Sequence, residues 1–536
     1  MERIKAMLEK KAVRTCMLIC SAVITALSVC FPSIGLLEWV GLIPLALVLF
    51  WNTEKGIGSY RRAYFTGLLF FWGYYAVIFH WFFYMYPLSF SGLPKAAAVV
   101  VVVVACFGLA FLQALVGAFV FPLFWRISRG RLVQKIPPLM PLVGAALWCV
   151  MEWVLTLTWA GVPWSRLALG QMKMAAVVQS ASLFGSYFIT FLIVLVNFLL
   201  AYTLYFRRGL AAALAALLFS ANLLTGMTLL FINKDVGEPI RVAAVQPNVS
   251  TADKWDEDKF IDSLLLHEKY TEQAAAEGAS IVVWPESAIP YDVELMPGVQ
   301  SRLSRLADQT DAYVIVGAFR AEKGKEYNAL YVYQPDGTCG EDYYYKQRLV
   351  PFGEFVPLED LVQVVIPPLA ELTAFADKNL TAGHESTVIK TEHGTVGALI
   401  CFDSIYEDLT RESVLNGAEL IVLSTNDSWF ADSAALYMHN RQASLRAIES
   451  GRYIVRSANT GISCVITPTG EVLELVGANR GGVVIADVYA RGDFTLYTRI
   501  GNLWIWLCIA FLFLPIGYDT VFWWLDRRKR KATSEK

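Results

Sequence analysis

Ser280-Ile281-Val282-Val283-Trp284-Pro285-Glu286-Ser287 decides how the middle of this chain folds. An apolar, β-branched run of strand length stops at a proline and leaves a carboxylate at its end. The same pattern returns at Thr395-Val396-Gly397-Ala398-Leu399-Ile400, which stops at Cys401-Phe402-Asp403-Ser404. Strands that are apolar at every position are buried on both faces. Two such strands therefore belong inside a layered α/β domain, with Glu286 and Cys401 at their ends. Between them, Tyr343-Tyr344-Tyr345 leads into Lys346-Gln347-Arg348-Leu349-Val350-Pro351-Phe352-Gly353-Glu354.

The flanking sequence extends the pattern. Arg241 to Gln246, Tyr313 to Ala318, Asn328 to Gln334 and Leu420 to Ser424 read as further strands. Asp256 to Glu277 and Ser433 to Ser450 read as helices, and another is expected from Ser404. Ile462 to Thr467, Pro468-Thr469-Gly470, then Glu471 to Val476 reads as a hairpin. The stretch from Val356 to His384 has little period and reads as loops near the mouth of a site.

Outside this insert the chain is lipid-like. Of its 536 residues 56% are hydrophobic and 17% charged, and the apolar excess lies at the two ends. A bilayer span needs about 20 mainly apolar residues. Eight candidates fall at roughly 12–32, 35–51, 63–86, 96–125, 138–159, 177–206, 209–232 and 500–525. Basic clusters sit at Arg3 to Arg14, Lys55 to Arg62, Arg126 to Lys135, Arg207-Arg208 and Arg527 to Lys531. With eight crossings every cluster falls on one side, which is the cytoplasmic one. The expected layout is seven transmembrane helices in 1–232, an extracytoplasmic domain at 233–499, an eighth helix at 500–526 and a basic cytoplasmic tail at 527–536. Both termini are then cytoplasmic. The net charge of −2 gives no case for nucleic acid.

Three of the nine cysteines, Cys339, Cys401 and Cys464, fall in the insert, and an odd trio makes no disulfide framework. A helix start after Cys401 would lower the thiol pKa, although free Cys is commonly just a buried residue. Glu286 beside Trp284 suits a general base. Lys346 suits an oxyanion partner, aided by the Phe402 N–H, and Glu354 can hold Lys346. In the spans, Glu152 and His80 are costly ionisable groups. Trp164 and Arg166 are expected to bind substrate lipid, with Arg166 placed to meet its phosphate at the outer face. His384-Glu385 and His393 are too dispersed for a metal site.

With Glu286, Lys346 and Cys401 in this order, the chain resembles the nitrilase superfamily, whose triad is Glu, Lys and Cys. The resemblance extends to Asn426-Asp427-Ser428-Trp429-Phe430 and Asn459-Thr460-Gly461. With eight spans it is similar, more narrowly, to the bacterial apolipoprotein N-acyltransferase family. Pro163-Trp164, Val245-Gln246-Pro247-Asn248, Lys254-Trp255-Asp256-Glu257 and Lys346 through Pro357 carry that narrower likeness. It implies a nitrilase-like αββα sandwich inserted into an eight-helix membrane domain. It also implies Cys401 as nucleophile, Glu286 as base, Lys346 as oxyanion partner, Glu354 as support, and Trp255 in the substrate cleft. Many members carry Tyr-Glu after the nucleophile, where this chain has Phe402-Asp403.

The expected activity is ping-pong acyl transfer in the membrane of a bacterial cell. A phospholipid is the acyl donor and Cys401 carries the thioester. The resemblance implies the acceptor, the α-amino group of an S-diacylglyceryl cysteine on a lipoprotein. No cofactor is expected, and the chain is expected to be a monomer. Two alternatives stand beside this reading: a membrane-anchored amidase with water as acceptor, and a non-catalytic lipid- or lipoprotein-binding scaffold.

Overall fold

The computed structural model describes residues 2–56, 58–88, 93–254, 256–359 and 380–534. Two compact units emerge. One comprises Met1–His80, Val103–Leu229 and Ile500–Lys536; the other comprises Trp81–Val102 and Leu230–Arg499. The second unit's main segment, Leu230–Arg499, lies close to the expected 233–499, and Trp81–Val102 groups with it. Part of the reason is aromatic: the Trp81 ring stacks on Phe82 at 4.1 Å and meets Phe430 edge-on at 5.2 Å.

The first unit is helical. Among the described residues, eight helical segments of the chain are long and apolar enough to cross a membrane: Lys11–Cys30, Pro32–Lys55, Tyr60–Met85, Lys95–Ser128, Pro137–Leu155, Ser186–Phe206, Gly209–Ile232 and Leu503–Arg530. A helix satisfies its own backbone, which lipid cannot do. The expected sixth span begins later than 177, because Gly185 at φ 79° breaks the helix before Ser186. Close packing uses a small residue where Gly144 faces Phe198; a Cβ there would lie 2.3 Å from the ring.

The second unit holds two sheets. The strands are β1 (Ile240–Gln246), β2 (Ile281–Val283), β3 (Ile289–Asp292), β4 (Tyr313–Glu322), β5 (Lys325–Tyr333), β6 (Tyr344–Tyr345), β7 (Val388–Thr391), β8 (Gly394–Ile400), β9 (Leu420–Thr425), β10 (Ile454–Ala458), β11 (Ser463–Ile466), β12 (Val472–Val476) and β13 (Gly482–Val488). One sheet runs β13-β1-β2-β4-β5-β6 with β3 on β4; the other runs β12-β11-β10-β9-β8-β7. The central pairs β1/β2, β2/β4, β8/β9 and β9/β10 are parallel.

Strand alternation builds the layers. Val242, Ala244, Ile281, Val283, Ile315, Ala398, Ile400, Val422 and Val455 form one core between the sheets. Their neighbours Ala243, Val245, Val282, Trp284, Val314 and Val316 face the other way, against Phe260 and Leu264 of α1 (Glu257–Ala276) and Leu303 and Leu306 of α2 (Pro297–Thr310). Leu399, Ile421 and Leu423 likewise meet Leu409 and Val414 of α3 (Glu407–Leu415) and Leu436 and Ala443 of α4 (Ala434–Ser450). The result is an αββα sandwich. Each buried Val, Leu or Ile contributes roughly 1.5–3 kcal/mol, which favours apolar residues on both faces of the central strands β2, β8 and β9. Ser424 Oγ donates to the Trp284 carbonyl at 2.8 Å and Ser457 Oγ to the Val245 carbonyl at 2.7 Å, tying the two sheets at the ends of their parallel strands. Those ends carry the site.

Candidate active site

β2 stops at Trp284-Pro285 and the chain turns sharply, with Ser287 at φ 48°. The turn aims Glu286 across the ends of the strands, where it is 5% exposed. Its Oε1 accepts from Lys346 Nζ at 2.8 Å and from Asn328 Nδ2 at 2.7 Å; its Oε2 accepts from the Asn426 N–H at 2.9 Å. Gly317 on β4 makes room, since a Cβ there would sit 2.3 Å from the Pro285 carbonyl oxygen.

Lys346 follows β6 and is 1% exposed. Its ammonium is shared between Glu286 and Glu354, at 2.8 and 2.9 Å. Glu354 is fixed in turn by the Val350 N–H at 2.8 Å and Asn328 Nδ2 at 3.1 Å. Burial opposes the lysine's charge, but the two carboxylates win, and its pKa lies well above the ordinary value. Burial also opposes ionisation of Glu286, yet Lys346, Lys254 and Asn328 outweigh it and hold its pKa below the usual value. A buried pair costs several kcal/mol per ion unless it is well bonded; here every charged atom has partners.

Cys401 ends β8 with φ 49°, a left-handed backbone that costs a non-glycine residue about 1–2 kcal/mol. Its carbonyl accepts from Ser404 Oγ at 2.8 Å and stands 3.2 Å from His439 Nε2. The helix expected from Ser404 is present but starts three residues later: a 3-10 turn spans Cys401–Ile405, and α3 begins at Glu407. The expected depression of the thiol is also overturned. Burial pushes the Cys401 thiol up, Glu286 adds to this, and Lys346 only partly opposes. A thiol 8% exposed among carboxylates needs a base to ionise it.

Asp403 links the nucleophile's turn to the lysine's loop. Its Oδ2 accepts from the Ile400 N–H at 3.1 Å and Tyr344 OH at 2.8 Å; its Oδ1 accepts from the Gln347 and Arg348 N–H groups at 3.2 and 2.7 Å. A shorter Asp arm therefore suffices, with Tyr344 supplying a hydroxyl. Phe402 packs edge-on against Tyr406 at 5.6 Å.

Several participants went unread in the sequence. Asn328 begins the buried part of β5, and that lone amide among apolar residues was a usable signal. Beneath Cys401, Asp427 bonds His439 Nδ1 at 2.8 Å and accepts from Arg456 Nη2 at 2.7 Å, all buried. Residues 12 and 29 positions from Asp427 give no local sign of this. Gly461 of the Asn-Thr-Gly segment admits Asp427, since a Cβ there would be 2.2 Å from its Oδ2. Lys254 donates to the Glu286 main-chain carbonyl at 2.9 Å.

The expected lipid contacts are placed differently. Trp164 is buried, and Arg166 is 1% exposed, with Nη1 donating to Ser186 Oγ at 2.8 Å and Nη2 to Tyr187 OH at 2.9 Å. The expected phosphate contact at Arg166 gives way to interior bonding, because a guanidinium in an apolar unit is stabilised by nearby acceptors rather than by lipid. Glu152, in the same unit, accepts from Thr190 Oγ1 at 2.9 Å and Trp148 Nε1 at 3.2 Å. Trp255 lies outside the described residues, as do 360–379 of the expected loop stretch.

Residues 241–492 match the carbon-nitrogen hydrolase family, and residues 21–199 match the apolipoprotein N-acyltransferase N-terminal domain. An apolipoprotein N-acyltransferase of Geobacter metallireducens is 30% identical over 518 residues, covering 92% of this chain and 93% of the relative. That of Gloeobacter violaceus is 31% identical over 503 residues, covering 92% of each. Among solved structures, the NitN amidase of Nesterenkonia sp. AN1 aligns at TM-score 0.38 and 16% identity, over 50% of this chain and 98% of that one. Saccharomyces cerevisiae Nit3, of the nitrilase superfamily, aligns at 0.37 and 21%, over 48% and 92%.

Proposed function

This chain belongs to the apolipoprotein N-acyltransferase family, and from that premise we propose that it acylates lipoproteins by ping-pong through a thioester on Cys401. The observation that carries the reading is the Lys346 ammonium held at 2.8 and 2.9 Å between Glu286 and Glu354, in the electrostatic field of a buried, strained cysteine.

In the first half-reaction the Glu286 carboxylate takes the Cys401 proton. The thiolate attacks a phospholipid ester carbonyl. Lys346 and the Phe402 N–H stabilise the oxyanion. The carbonyl–oxygen bond breaks, the leaving lysophospholipid takes the proton back from Glu286, and a thioester remains. In the second, the α-amino group of a diacylglyceryl-cysteine attacks the thioester. Glu286 accepts the amine's proton, the carbon–sulfur bond breaks, and Glu286 returns that proton to the departing thiolate. The ester supplies its own leaving group, so the residues of this chain complete the cycle. Asp403 keeps Lys346 and Cys401 in register, and the Asp427–His439–Arg456 cluster fixes the strained turn. The basic clusters favour cytoplasmic termini and an insert on the outer side.

The test is direct. Purified protein is incubated with acyl-labelled phospholipid, Cys401 is analysed by mass spectrometry, and a diacylated peptide is added as chase. The expected result is label on Cys401 that moves to the peptide amine and is absent in Cys401→Ser. Free fatty acid without N-acylated peptide would favour the hydrolase, and an unmodified thiol the scaffold.

A further inference from the structure

The proposed chemistry makes no use of Lys254, although its place in the fold is unusual for a lysine. It closes a helical turn, Thr251–Lys254, and is 6% exposed. Its ammonium donates to the main-chain carbonyl of Glu286 at 2.9 Å, so it reaches the base through its backbone. A buried ammonium is costly unless opposite charge lies close by, and the cluster supplies that charge. Glu286 and Glu354 contribute two negative charges, while Lys346 contributes one positive charge. Without Lys254 the set is one negative charge in excess, in a place shielded from water.

We infer that Lys254 is a positioning residue whose charge completes the neutrality of this cluster and so keeps Glu286 ionised and ready to accept a proton. The inference rests on the reading of Glu286 as the base for Cys401. Its electrostatic reach fits: burial pushes the Lys254 ammonium down to about 8, Glu286 and Cys401 pull it up, and Lys346 pushes it down. The other charged groups nearby do not replace it. Asp427 is matched by Arg456 at 2.7 Å, and Arg348 by Asp408 at 2.7 Å. Asp403 is met by its own four donors, the Ile400, Gln347 and Arg348 N–H groups and the Tyr344 hydroxyl. Burial pushes His267 on α1 down to about 4, so it is neutral. The charge also survives the reaction. Moving a proton from Cys401 to Glu286 leaves the count unchanged, and so does forming the thioester.

The experiment measures alkylation of Cys401 by iodoacetamide against pH in the full-length protein, which reports thiolate formation without lipid. Lys254→Gln keeps a donor for the Glu286 carbonyl and removes the charge. The acid limb of its profile should move to higher pH by about one unit or more, a tenfold loss of alkylation rate on that limb. Lys254→Arg should keep the wild-type profile. Adding Glu354→Gln to Lys254→Gln restores neutrality and should bring the limb back. An unmoved limb in Lys254→Gln, or an equal shift in Lys254→Arg, overturns the inference. Should Lys254→Gln fail to fold, Glu354→Gln alone reads the same balance from the other side. Its limb should move to lower pH, and an unmoved limb overturns the inference. Glu286→Gln separates the two ideas: if it leaves the profile unchanged, the reading of Glu286 as base fails first.

Discussion

Gly317→Ala tests the placement of Glu286 without touching a charged group. Gly317 lies in β4, opposite Leu330 of β5. A Cβ on it would stand 2.3 Å from the Pro285 carbonyl oxygen and 2.9 Å from both the Glu286 Cα and the Ser287 nitrogen. All three neighbours are backbone, so no flexible side chain can swing away. Relieving the contact to the 3.0 Å floor requires about 0.7 Å of displacement. β4 is held on both sides, by β2 and by β5, so the 285–287 turn moves, carrying Glu286 away from Lys346 and Asn328. Misplacement by about 1 Å costs on the order of 100-fold in rate, and overpacking costs about 1–3 kcal/mol in stability. The assay is single-turnover formation of the Cys401 thioester from labelled phospholipid, with thermal unfolding in detergent as control. The expected outcome is a loss of about 10- to 100-fold in a folded protein. In a Glu286→Gln background the same change should cost almost nothing more, because both act on one group. A wild-type rate for Gly317→Ala, or a full additional loss in the double variant, would refute the reasoning.

Asp403 gives a pH signature of opposite sign in two measurements. Burial pushes its carboxyl up to about 6, against about 3.9 for an unperturbed Asp. The folded state binds that proton more tightly, so stability attributable to Asp403 rises as pH falls from about 6 to about 4, by roughly 3 kcal/mol at most. A neutral Asp403 is a poorer acceptor for the Lys346 loop, so thioester formation falls over the same window. Melting points and single-turnover rates, referenced to Asp403→Asn, should diverge, and parallel movement would count against this role. Arg456→Met leaves Asp427 buried with no cation but His439, beside the Thr425 hydroxyl at 3.0 Å. Burial opposes the Asp427 charge, but Arg456 and His439 hold its carboxyl well below the usual range. Losing one partner of such a pair costs about 3–5 kcal/mol; denaturant unfolding showing under about 1 kcal/mol would dismiss the cluster as a support for Cys401.

β2, β8 and β9 were legible because their interiors are apolar on both faces, a pattern that only a layer covered on both sides accepts; the short or more polar β3, β6, β7, β10 and β13 were not read. Trp284-Pro285-Glu286 and Ile400-Cys401 could be read as strand ends for the same reason, and the helices followed from their period. The chemistry between residues was less legible. Arg166 stands next to Trp164 at the end of a span, which suggested lipid phosphate. Its partners Ser186 and Tyr187 come from another helix. Lys254 sat in plain view beside Trp255, yet nothing local tells that its ammonium reaches the Glu286 backbone.

From the order of its residues alone, the chain settled the sandwich, the eight apolar segments and the presence of an acid, an amine and a thiol at strand ends. Those features depend on periodicity and on what oil or water will accept, and both are written locally. Folding alone decided how strongly each group holds its proton. Burial raised the thiol and matched carboxylates against ammonium groups, because a charge's energy depends on neighbours that the chain brings together from 30 to 140 positions away.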